Sequence, residues 1–112
     1  MRRLYHAWAG IKTSLESEYS FRLHAVAAVF VIIVLAITRP AAVWWALLLL
    51  TSGLVLSLEM VNTAIEKLAD HLHPDLHPAL KTVKDTLAGS VLIASLIAAC
   101  VFIAFISTLI VL

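Results

Sequence analysis

The stretch 43–70 reads VWWALLLLTSGLVLSLEMVNTAIEKLAD. From Val43 to Leu58 it carries no charge. Glu59, Asn62, Glu66 and Asp70 then follow at spacings of three, four and four, so on a helix their side chains share one face. Such a run predicts a membrane-spanning helix whose far end is polar. Trp44 to Glu59 is fifteen residues. That is roughly 22 Å of helix, set against about 30 Å of hydrocarbon. Glu59 is therefore expected just inside the far boundary, with Asn62 near it and Glu66 and Asp70 in the headgroup zone. An ionisable residue at that depth is costly, and by default it marks a functional site. A carboxylate, an amide and two further carboxylates in one stripe point to a cation site or to proton transfer at a membrane surface.

The rest of the chain supports a membrane setting. Its 112 residues are 62% hydrophobic and 13% charged, with a mean hydropathy of +1.03. Soluble domains are nearer 45–50% apolar and about 25% charged. A soluble core of this size could not hide so much apolar surface, so the bilayer must act as solvent. Residues 1–112 are expected to form one integral membrane domain. The net charge of +1 says little, and no nucleic-acid partner is expected. The single cysteine, Cys100, sits in an apolar run and reads as a buried structural thiol. After Met1, Arg2 and Arg3 the sequence turns amphipathic instead of continuously apolar, which points away from a leader peptide.

Within residues 1–20, Leu4, Trp8, Ile11 and Leu15 recur at four, three and four, which predicts an interfacial helix with one apolar stripe. Tyr5 and Trp8 belong at headgroup level. A first span is expected over 23–39. Pro40 breaks it, and a second span follows over 42–66 with Trp44 and Trp45 in an aromatic belt. The segment HLHPDLHPAL, residues 71–80, is a proline-punctuated connection. His71, His73 and His77 within it read as solvated loop histidines, and His24 as an interfacial histidine satisfied by water or a neighbouring carboxylate. A third span is expected over 86–112, where small residues such as Ala88, Gly89, Ala94 and Ala98 permit close helix packing. The fold class is all-α: a surface helix plus three transmembrane helices.

Seven of the eight Lys and Arg residues fall in the N-terminal part or in 66–86, and only Arg39 lies in the opposite turn. That bias places the N-terminus and the 66–86 connection in the cytoplasm. Glu18, Glu59, Asn62, Glu66, Lys81, Lys84 and Asp85 then all gather at the cytoplasmic face. Carboxylates hold Mg²⁺ in small numbers, usually with substrate phosphates completing the shell. Lysines supply point charge to polyphosphate. A carboxylate set slightly into the apolar zone suits a general base acting on a hydroxyl. These are the parts of a phosphoryl-transfer site, and a base at lipid depth implies a lipid alcohol as acceptor. There is no Walker A loop and no protein-kinase signature. Taken singly, each residue has a plainer reading. Glu66 and Lys67 could be headgroup-level charges, Asn62 could join helices, and Asp85 could complement a helix dipole. Glu59 resists one. A competing class, a small cation-binding transport subunit, predicts charges on the first or third span, and those spans are uncharged.

The order FRLH, LEMVNTAIEKLAD, HPALKTVKDTLAGSV resembles the prokaryotic diacylglycerol kinase/undecaprenol kinase family, from about residue 5 onward. The resemblance implies an ATP- and Mg²⁺-dependent kinase of the bacterial inner membrane, a homotrimeric helical bundle whose sites draw on neighbouring protomers. By motif position it implies Glu59 as general base and Asn62 orienting groups beside it. Glu18 and Glu66 would be the metal ligands, and Lys84, Asp85 and Asp70 would lie on the nucleotide. His24 follows FRL where some diacylglycerol-specific members carry an acid. With NTAIE and HPALK it is more similar to the undecaprenol kinase branch of Gram-positive bacteria, so undecaprenol is the expected acceptor and diacylglycerol the alternative.

Overall fold

A computed structural model describes residues 2–75 and 77–110. Met1, Val111 and Leu112, at the ends of the expected first and last segments, lie outside the described residues, as does Leu76. The described residues form four α-helices: α1 (Arg2–Ser17), α2 (Tyr19–Thr38), α3 (Ala42–Leu72) and α4 (Pro78–Ile110). The last three are long and apolar enough to cross a membrane. At 1.5 Å per residue, α3 and α4 are each roughly 45–50 Å long, so both outreach a hydrocarbon slab of about 30 Å.

Each junction has a local cause. α1 stops where Glu18 turns extended (φ −115°, ψ 111°). The Glu18 N–H still donates to Ser14 O at 3.0 Å. The Arg22 guanidinium donates to the carbonyls of Leu15 and Glu16 at 3.0 and 2.9 Å, satisfying acceptors that the helix end leaves open. α2 ends on Arg39 in the left-handed conformation (φ 47°, ψ 57°), with its N–H on Leu35 O. Pro40 cannot continue the helix. α4 opens with proline at its first position, which needs no N–H there. His77 Nδ1 accepts from Ala79 N–H at 3.1 Å, capping that end.

α3 is the central element. It packs against α4 and α2, while α1 lies against α2 and α3. The α2 and α4 backbones nowhere approach within 8 Å, Cα to Cα, among the described residues. They meet through side chains at the Arg39 end. There Leu35, Leu48 and Phe105 are fully enclosed, with Trp44, Val101 and Phe102 packed around them. Toward the other end α2 and α4 part. Large apolar side chains such as Val26, Ile37, Leu50, Leu92 and Ile103 face outward, as expected where lipid is the solvent. Cys100 is exposed, not buried as its apolar context suggested. Hydrophobic neighbours in a bilayer protein do not distinguish the lipid-facing side of a helix from the packed side.

Candidate active site

α3 carries the polar stripe out of the bundle in order of burial. Glu59 is 6% exposed, the one charged side chain enclosed among the described residues. Asn62 and Glu66 are half-buried, and Asp70 is exposed. The four positions lie on one face of α3, so exposure rises along that face toward the end of the helix.

His24 on α2 meets Glu59 across the helix pair, Nδ1 to Oε1 at 2.9 Å. The ring N–H is not aligned on that oxygen, so the contact is a close polar approach and not a well-formed hydrogen bond. One turn beyond Glu59, the buried Oδ1 of Asn62 has no partner. Buried polar atoms are nearly always satisfied, so this amide oxygen is available to accept a hydrogen bond.

At the outer end, Lys84 on α4 donates to Asp70 on α3, tying the two helices together. Glu66 also lies within electrostatic reach of Lys84. Lys81 donates to Asp85 at 2.7 Å, one turn along the same helix. Both lysines sit in the polar first turns of α4, ahead of its apolar stretch. Hydrogen bonds to Asp85 and Asp70 respectively hold them above the ordinary lysine range. A shallow hollow of about 90 Å³ opens here, edged by Asp70, His73, His77, Lys81 and Lys84. Glu18 is half-buried at the α1–α2 hinge. Glu59, Asn62, Glu66, Asp70 and Lys84 thus form one continuous track. Asp85 is turned to Lys81, and Glu18 stands apart from this track at the α1–α2 junction.

Below Glu59, a cleft of about 310 Å³ opens where α2 and α4 part. His24 stands at its head. Ala27, Ala28, Val31, Ala98 and Phe102 form much of its wall, and Ser95 contributes a buried hydroxyl without a partner. The carboxylate expected beside His24 is that of Glu59, a partner that local spacing could not name, and the Asp70–Lys84 pair and the cap by His77 have no signal there either, because each depends on how distant or irregular segments dock.

Residues 5–106 match the family described as prokaryotic diacylglycerol kinase. The chain belongs to that family. Among its relatives, a diacylglycerol kinase of Synechocystis is 37% identical over 83% of this chain and 54% of its own length. An undecaprenol kinase of Bacillus subtilis is 36% identical over 82% of this chain and 75% of its own length. The Escherichia coli diacylglycerol kinase is 28% identical over 83% and 76%. The chain therefore spans only about half of the Synechocystis relative.

Kinase family membership implies ATP as phosphate donor. Among the described residues no three His, Cys, Asp or Glu side chains converge to hold a metal ion by themselves. Magnesium does not require such a cage, since one or two carboxylates with phosphate oxygens and water suffice. The hard oxygen donors of Glu66 and Glu18 fit that chemistry.

Proposed function

We propose that this chain is an ATP-dependent lipid kinase that transfers the γ-phosphate to the hydroxyl of a membrane lipid alcohol, with undecaprenol as acceptor. The observation that supports it most is the buried Glu59 carboxylate at the head of a helix face that runs out through Asn62 and Glu66 to Lys84. Glu59 removes the proton from the alcohol as its oxygen attacks the γ-phosphorus. The O–H bond breaks, the new O–P bond forms, and the bond to the bridging oxygen breaks with its electron pair leaving on ADP. Asn62 orients the reacting groups. Lys84 exchanges Asp70 for phosphate oxygens, and Asp85 and Asp70 support the nucleotide end. Glu66 and Glu18 would hold Mg²⁺, which when bound offsets the phosphate charge.

The Lys and Arg bias supports a cytoplasmic N-terminus and site in the bacterial inner membrane. The family resemblance supports a homotrimer with sites shared between protomers, since three spanning helices alone do not enclose a nucleotide with its metal. Undecaprenol is favoured by His24 and its neighbouring motif. Diacylglycerol is the second reading, because the Synechocystis relative of similar identity bears that name. Purified protein given γ-labelled ATP and each lipid in separate vesicles separates the two. Label in undecaprenyl phosphate is expected. Label only in phosphatidic acid would move the acceptor to diacylglycerol, and label in neither lipid would overturn the kinase reading.

A further inference from the structure

Among the described residues no lysine or arginine lies at ion-pair distance from Glu59. Lys84 is on Asp70, and the Arg22 guanidinium is turned to the carbonyls of Leu15 and Glu16. Among the described residues its only ion-pair-distance partner is His24. The His24 Nδ1 is fully buried and has no aligned hydrogen bond, while 2.9 Å away lies the carboxylate Oε1. The same ring stands at the head of the α2–α4 cleft. His24 is thus the polar group between the apolar cleft and the buried acid.

We propose that His24 is a positioning residue for Glu59, holding one carboxylate oxygen so that the other meets the acceptor hydroxyl. The proposal rests on the reading of Glu59 as base. A glutamate has three side-chain torsions, and an unrestrained one samples several rotamers. Contact with His24 selects one of them. A headgroup brought to the head of the cleft then meets the free oxygen in a fixed place, the condition under which proximity accelerates a reaction. His24 takes no proton in the chemical step. Its contribution is geometric.

The full chain in nanodiscs, assayed with the lipid it phosphorylates, tests this. His24→Leu keeps the bulk and removes the polar contact. Its kcat is expected to fall about a hundredfold, with the KM for ATP and the thermal midpoint close to native. His24→Asn places an amide N–H near the position of Nδ1 and is expected to recover to within about tenfold of native. Native kcat in His24→Leu would overturn the proposal, as would an asparagine variant no better than the leucine one. So would parallel losses of kcat, ATP affinity and thermal midpoint in both, which mark a packing role. If His24→Leu does not fold, His24→Ala replaces it with the same outcomes. Glu59→Gln run alongside separates the two readings. Native turnover there removes the base itself, whereas an inactive Glu59→Gln with a fully active His24→Leu removes only the positioning role.

Discussion

At the scale of single residues, the account turns on charge placed where charge is expensive. Glu59 is enclosed, and among the described residues its one ion-pair-distance partner is His24, while Glu66, seven residues on, is half-buried and near the Lys84 ammonium. On the proposed function, the difference in surroundings suits Glu59 to the role of base and Glu66 to that of metal ligand. Replacing Glu66 by glutamine keeps shape and removes charge. The Mg²⁺ concentration for half-maximal rate is expected to rise about tenfold, equivalent to about 1.4 kcal/mol. An unchanged metal requirement in a titration of initial rates would remove Glu66 from the ligand set. Enclosure does not follow from run length, since Leu50 in the same run is exposed, so only the place of Glu59 at the end of a long uncharged run was legible. Its partner was not. His24 lies thirty-five residues away on another helix, and only the docking of α2 on α3 brings them together. Lys84 and Asp70, fourteen positions apart across an irregular connection, were unreadable for the same reason.

At the scale of elements, the three long helices were legible as apolar runs punctuated by proline, but their ends were set by details finer than hydropathy. The expected surface helix reached residue 20, whereas α1 gives way at Glu18, where the Arg22 side chain caps its carbonyls. His77 is an exposed loop residue, as expected, and it also caps the start of α4 at Pro78 by accepting from the Ala79 N–H. The α2–α3 turn carries a measurable strain. Arg39 adopts positive φ, a conformation that costs a non-glycine residue roughly 1–2 kcal/mol. Arg39→Gly removes that cost at a helix C-terminus suited to glycine. Its stability in detergent is expected to rise by about 1 kcal/mol. A lowered denaturation midpoint would show that the arginine side chain contributes more than its backbone costs.

At the scale of the whole molecule, the bundle is closed at one end and open at the other. Leu35, Leu48 and Phe105 lock the Arg39 end, the cleft begins beside them at Val31 and Phe102 and runs to His24, and the polar track occupies the opposite end. Apolar side chains in a bilayer gain little by leaving lipid, so this lock holds by packing. Phe105→Ala is therefore expected to cost about 2 kcal/mol, below the 3–5 kcal/mol of water-soluble cores, with catalysis retained once folded. A loss of 5 kcal/mol in a reversible unfolding titration would contradict that. On the proposed function, the packed end holds the scaffold while the polar end admits both a lipid and a nucleotide. The most direct test of that arrangement is phosphate transfer by Glu59→Gln, reassembled in lipid, with ATP binding measured on the same sample. Binding within about threefold of native, and transfer reduced by at least about a hundredfold, is the expected result. Transfer at the native rate would contradict the account.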